Sequence, residues 1–244
     1  MTISIDGTTT VRELVGRYPQ TRKAFEDHGI DYCCGGGQSL ADAARQRGVE
    51  LESLLAALRT ALDAPASGTT PADRDWYAVS LQELVDHILQ THHTYMYQAL
   101  PRVRMLVAKV ASAHSAHHGE MLRQVQVLYG TLDAELTSHL QKEEQILFPH
   151  IVAAESHARG KGEAPTSCFP TVRYPIQQME HEHESAGEAL EQLRAVTDNY
   201  TLPTDACPTF AALYEELQRV ETDLHQHIHL ENNILFPRAI AGED

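Results

Sequence analysis

Apolar residues recur three and four positions apart along most of the chain, and no stretch of useful length alternates with a period of two. That pattern predicts an all-α protein. Ahead of residue 63 it predicts short helices: Val11 to Tyr18, Gln20 to His28 stopped by Gly29, Leu40 to Arg47 capped by Ser39 and stopped by Gly48, and Leu51 to Leu62. The segment Asp63 to Asp75 (DAPASGTTPADRD) is rich in Pro, Ala, Gly and Thr and loses the period, as an interdomain linker does. The expected organisation is a small helical domain over 1–62, a linker over 63–75 and a larger helical domain over 76–244. A second break, Ser156 to Thr171, carries two glycines and two prolines and divides the larger domain into two similar halves.

The halves share a motif. HLQKEEQILFP from His139 and HIHLENNILFP from His227 place His, Glu, Ile, Leu, Phe and Pro at matching positions. Upstream of each copy lies a second histidine-rich helical segment, VDHILQTHH near Val85 and QMEHEH near Met179. Four helices related by an internal duplication make an up-down bundle the simplest architecture.

A bundle helix turns one apolar stripe toward its neighbours. In the second helix the stripe reads Val125, Leu128, Leu132, Glu135, His139, Glu143, Ile146, so His139 and Glu143 point inward one turn apart. In the fourth helix Leu213, Leu217, Val220 and Leu224 lead to His227, Glu231 and Ile234, with His225 and His229 off the line. The third helix puts His183 on the stripe with Met179, Ala186, Leu190 and Leu193, and His181 about 200° away. In the first helix the pattern supports His93 (with Val85, Leu89, Met96, Leu100) and His92 (with Leu81, Val85, Ile88, Tyr95, Ala99) equally well.

Composition turns these stripes into chemistry. The chain of 244 residues holds fifteen histidines, most of them between Asp86 and Glu231. A lone histidine on an apolar face is more often a hydrogen-bonded core residue than a ligand. Two copies of His-x-x-x-Glu on core stripes, however, would bury carboxylates at severe cost without a cation. Carboxylates bridge paired cations, and imidazole with carboxylate but no thiolate favours iron or manganese over structural zinc. The expected centre is a pair of non-haem iron ions with open positions able to take a small diatomic. A net charge of −15, from 34 acids and 19 bases, argues against nucleic acid or anionic lipid as a partner. The opening residues MTISIDGTTT show no basic segment leading into an apolar run, and no eighteen apolar residues pass without a charge. The expected location is the cytoplasm, with reduced thiols.

Three stretches, DYCCGGGQSL from Asp31, SHLQKEEQILFP from Ser138 and HIHLENNILFPRAIAGE from His227, resemble the repair-of-iron-centres family over nearly the whole chain. The resemblance implies a small N-terminal domain with a Cys-Cys-Gly-Gly signature joined to a hemerythrin-like di-iron bundle. It also implies a role in mending iron-sulfur clusters after nitrosative or oxidative damage. It places ligands on His93, His139, Glu143, His183, His227 and Glu231, with both glutamates bridging, and so selects His93 over His92. It further implies that Glu135 and Glu182 line a polar route to the metals, and that the N-terminal domain self-associates, giving a homodimer.

On sequence alone, Cys33 and Cys34 read equally as incidental thiols in a turn or as reactive thiols on an accessible glycine loop whose amides favour thiolate. The resemblance moves them to function, relaying iron or reacting with nitric oxide between the bundle and a client. Cys168 and Cys207 read as incidental, and Trp76 and the Phe-Pro pairs at Phe148 and Phe236 as packing and helix-stop features. The leading functional expectation is a repair factor that donates labile iron to damaged iron-sulfur proteins. The alternatives are a di-iron protein that binds or reduces nitric oxide and, last, a hemerythrin-like oxygen carrier or sensor.

Overall fold

The computed structural model describes residues 5–63, 74–166 and 169–243. The expected linker falls largely outside them, and Cys168 wholly so. Ten α-helices are present among the described residues: α1 Val11–Arg17, α2 Arg22–Asp27, α3 Leu40–Arg47, α4 Leu51–Asp63, α5 Leu81–Ile88, α6 Thr94–Lys142, α7 Phe148–Ala158, α8 Arg173–Val196, α9 Pro208–Leu230 and α10 Phe236–Ala241. No strand occurs among the described residues beyond an isolated bridge between Thr10 and Ser39. The all-α expectation holds. No helix among the described residues is long and apolar enough to cross a membrane.

The chain divides into two compact units, Met1–Leu84 with Ile228–Ala241, and Val85–His227 with Gly242–Asp244. In the first, local signals set the helix ends. The Thr10 hydroxyl accepts from the Glu13 amide and the Glu13 carboxylate accepts from the Thr10 amide, a reciprocal cap on α1. Ser39 caps α3 by accepting from the Asp42 amide at 3.1 Å, and Gly48 ends α3 at φ +68°, a left-handed position that suits glycine. Val11, Leu14, Phe25, Leu40, Leu54 and Leu58 form the core.

The second unit holds the four-helix bundle. A single non-helical residue, His118 (φ −122°, ψ 17°), interrupts the helical run of α6. The Tyr129 hydroxyl nevertheless donates to the Leu100 carbonyl at 2.8 Å, and Arg104 pairs with buried Asp133 at 2.6 Å. Residues 29 apart on a straight helix would stand about 43 Å from each other, so the chain folds back on itself near His118. Two antiparallel bundle helices are thus joined almost without a loop. The other two, α8 and α9, pack their Leu190, Leu193, Leu213, Leu217, Val220 and Leu224 into the core.

Among the described residues three five-residue π-helical turns interrupt the α-helices: Leu89–His93, Glu143–Leu147 and Glu231–Leu235. Periodicity does not forecast them, and they correct two expectations. In the second bundle helix the buried line runs Val125, Tyr129, Leu132, Leu136, Leu140, Glu143, Leu147, while Glu135 and Ile146 are exposed. A wider turn needs more residues per revolution, so Leu147 comes round to the core in place of Ile146. The Phe-Pro pairs also do not stop their helices. Helix continues from Phe148 to Ala158 and from Phe236 to Ala241, with Pro149 in the first turn of α7, where a missing N–H costs little. Phe148 and Phe236 are buried, as their packing role requires.

Candidate metal centre

Within the bundle, four imidazoles and one carboxylate converge. His93 precedes α6, His139 lies near its end, Glu143 opens the π-turn that follows, His183 lies mid-way along α8 and His227 near the end of α9. All five are at most 3% exposed. The histidines meet in two pairs through Nε2: His139 with His183 at 3.0 Å, and His93 with His227 at 3.2 Å. Between the pairs lies Glu143, whose Oε1 is 3.3 Å from His139 Nε2 and whose Oε2 is 3.4 Å from His93 Nε2. One carboxylate therefore addresses both pairs with different oxygens. The ligand atoms of His93, Glu143 and His227 gather within 4.8 Å of one another, as do those of His139, Glu143 and His183.

The Nδ1 atoms explain why Nε2 faces inward. His93 Nδ1 lies 2.8 Å from Glu144 Oε1, and His139 Nδ1 lies 2.9 Å from Glu182 Oε2. A carboxylate acceptor keeps the proton on Nδ1, leaves the Nε2 lone pair toward the centre and raises its basicity, the arrangement found around metal-bound histidine. Hydrogen bonding from His139, opposed by partial burial and helped by Lys142 and Gln178, holds the Glu182 carboxyl down at about 2. Glu182 thus orients a histidine. Glu135, proposed with it as a channel residue, points to solvent.

In each pair one ring, His93 or His139, commits its Nδ1 proton to a carboxylate and so presents an Nε2 lone pair to its neighbour, which a proton or a cation between the rings must satisfy. A cation satisfies each pair together with one oxygen of Glu143, so the donor set fits a metal. Imidazole and carboxylate together suit iron, manganese or zinc.

The choice between His92 and His93 is also explained. The π-turn over Leu89–His93 turns both rings inside, and both are buried. His93 reaches Glu143, whereas His92 Nδ1 pairs with Asp223 at 3.0 Å and its ring stacks parallel to His227 with centroids 5.5 Å apart. His181 is exposed, as its phase predicts.

Glu231 stands one turn after His227 on the same unbroken helical run and is fully buried. The residues after it belong to the first unit and meet the cysteine loop there. Asn233 Nδ2 donates to the Tyr32 carbonyl at 2.9 Å and to His229 Nδ1 at 3.0 Å, and its Oδ1 accepts from Arg12 Nε at 3.0 Å. Asn232 Nδ2 reaches the Cys33 carbonyl at 3.4 Å. Gly36 is required by this approach, since a Cβ there would run into the Asn233 side-chain oxygen. His229 is enclosed against Tyr32, and burial holds its imidazole well below its usual value, hence neutral.

The loop itself differs from the expected accessible thiolate pair. Cys33 is buried, and its thiol is pushed well up by its hydrogen bond with Cys34 and by burial. The Asp31 carboxylate takes the Cys33 and Cys34 amides, at 2.8 and 3.0 Å, and the Cys33 thiol at 2.9 Å, so those amides are not free to stabilise a thiolate. Cys34 is half-buried. The Cys207 thiol, read from the sequence as incidental, is lowered to about 7 by a hydrogen bond with His114.

Residues 84–239 match the family of the hemerythrin HHE cation binding domain, and residues 7–62 match a domain of unknown function, DUF542. The chain is 38% identical over 231 residues to the iron-sulfur cluster repair protein YtfE of Enterobacter sp. (strain 638), covering 95% of this chain and 96% of that protein. The proteins of the same name from Salmonella newport (strain SL254) and Salmonella dublin show the same identity and coverage.

Proposed function

Because the chain belongs to the family of these iron-sulfur cluster repair proteins, with a hemerythrin-type cation-binding domain, we propose that it mends damaged iron-sulfur clusters from a di-iron centre. The observation that carries the reading is Glu143, one buried carboxylate with an oxygen directed at each of two histidine pairs. On this reading His93 and His227 hold one ion and His139 and His183 the other. Glu143, and Glu231 at the matching place in the duplicated turn, would be the carboxylates shared between them. Bound there, the iron pair supplies labile metal for an incomplete cluster and open positions for nitric oxide or oxygen.

The protein's own residues set how firmly metal is held. Glu144 and Glu182 fix the rings of His93 and His139 through Nδ1, and the buried Phe148 ring packs against His93 with centroids 5.6 Å apart. Cys34, the more exposed of the pair, is the thiol that would meet a client or pass iron, with Cys33 behind it. The reading includes a cytoplasmic location, a homodimer formed through the N-terminal domain, and a domain organisation of 1–62 and 76–244 about a linker. Its partners are damaged iron-sulfur proteins.

The test is anaerobic iron loading followed by repair. The loaded protein should carry two irons per chain with the spectroscopic coupling of a bridged pair, and should restore activity to a dehydratase whose cluster nitric oxide has damaged. Sustained consumption of nitric oxide with an electron donor, with no iron lost and no enzyme restored, would replace repair by nitric oxide reduction. A single iron per chain would overturn the di-iron assignment.

A further inference from the structure

At the metal centre His93 and His139 are held by carboxylates on Nδ1. His227 has an aromatic neighbour. The ring of His92 lies parallel to it, at an interplanar angle of 2° with centroids 5.5 Å apart, while His93 approaches it Nε2 to Nε2. His92 is buried, and its Nδ1 lies 3.0 Å from Asp223 Oδ1. An ionised carboxylate only accepts, so the proton between them belongs to His92.

Two helices make this arrangement. His92 comes from the π-turn ahead of α6, which turns it inside together with His93. Asp223 and His227 are four residues apart on α9, one turn along one face, so the helix that carries His227 also anchors the ring stacked on it. The His87 ring packs against His92 at 87° with centroids 5.8 Å apart. The charge on Asp223 is left to His92: its Oδ2 is buried without a hydrogen bond among the described residues, and Arg219, one turn earlier, pairs with Glu216 at 3.1 Å. A carboxylate that takes the Nδ1 proton pushes electron density into the imidazole and makes its face more negative. A metal-bound imidazole loses density, the more so the higher the charge on the metal, and a negative ring face stacked on it is attracted.

We propose, given the reading that His93 and His227 hold one iron of the pair, that Asp223 and His92 are positioning residues for His227. They fix the plane of its ring and favour the ferric over the ferrous state of the iron it holds. That iron then gives up an electron more readily than it would with an uncharged partner for His92. The effect acts wholly through the stacked ring, since His92 Nδ1 is committed to Asp223 and His93, not His92, reaches Glu143.

The test is a redox titration of the anaerobically loaded full chain with mediator dyes, with iron content measured on the same samples. Asp223→Asn keeps an oxygen for His92 Nδ1 and removes the charge, whereas His92→Phe keeps a stacked ring and removes the polarised one. Both should retain the iron content of the parent protein. In both, the potential of the first oxidation should rise by about 59 mV, a tenfold change in a one-electron equilibrium. An unchanged potential in Asp223→Asn would overturn the proposal, whether or not iron is lost, since loss of iron alone is what a merely structural contact gives. One iron per chain in the parent and variants alike would instead overturn the paired-iron reading, and the shift in that iron's potential would still decide for or against Asp223 and His92.

Discussion

The turns Glu143–Leu147 and Glu231–Leu235 are copies of one motif with different surroundings. Both open on a buried glutamate one turn after a buried histidine, both are π-helical, and both lead into a buried phenylalanine followed by proline. Their outward faces diverge. In the first copy Lys142, Glu144 and Gln145 are exposed or half-buried, with Glu144 bent back to hold His93. In the second, Leu230, Asn232 and Asn233 occupy those positions and are buried, with both asparagines bonded to the Tyr32–Cys33 backbone. Duplication kept the donors and left the outer face free to change. Short amides that donate to backbone carbonyls let the cysteine loop settle on one turn only, whereas charged or longer side chains keep the other in water.

The comparison can be broken most severely at the glutamates. Glu143→Ala and Glu231→Ala should each lower iron content from two per chain to one or none, by elemental analysis of anaerobically loaded protein. A Glu231→Ala protein with full iron would show that only the first copy bridges. Next in size, Glu182→Gln should weaken metal affinity by about 10–100-fold in chelator competition, because His139 loses the acceptor that fixes its ring. His92→Phe, which keeps a ring stacked on His227, should cost less than that. Third, Asn233→Ala should destabilise the N-terminal unit by about 1–3 kcal/mol in denaturant unfolding, since it leaves buried partners of Asn233 unsatisfied. Gln145→Ala, at the exposed equivalent, should stay within about 0.5 kcal/mol. The smallest effect is on alkylation of Cys33. Because that thiol is raised, it reacts slowly at neutral pH and faster as pH climbs. Asn233→Ala should speed the reaction severalfold, measured by mass spectrometry.

Much of the bundle was legible in the sequence because the candidate ligands sit on apolar stripes and the motif occurs twice. The phase of His183 against His181, and of His227 against His225, matches the observed burial. Most of what periodicity missed traces to residues that break the 3.6-residue period. Both His92 and His93 are inside because a π-turn widens the helix there, so the stripe could not separate them. Ile146 fell on the extrapolated stripe and faces solvent because the wide turn brings Leu147 to the core, whereas Glu135, in regular helix, yields its place to its neighbour Leu136. His229, off the bundle stripe, is buried against Tyr32, an environment set by contacts some 200 residues away in sequence. The cysteine loop read as open because its glycines suggest freedom. Here one of them instead admits the Asn233 side chain.

The π-turns also constrain how this chain tolerates changes in length. A single residue removed from Glu143–Leu147 would leave an ordinary helix behind, and because the wide turn is what absorbs one extra residue, Leu147, Phe148 and Ile151 would keep their phase on the core. A single residue removed between Phe148 and Ile151 has no wide turn to relax and would rotate everything beyond it by about 100°, carrying Ile151 off the core. Two deletions of equal length a few positions apart should therefore differ in cost, the first local to the turn and the second like the loss of a core residue.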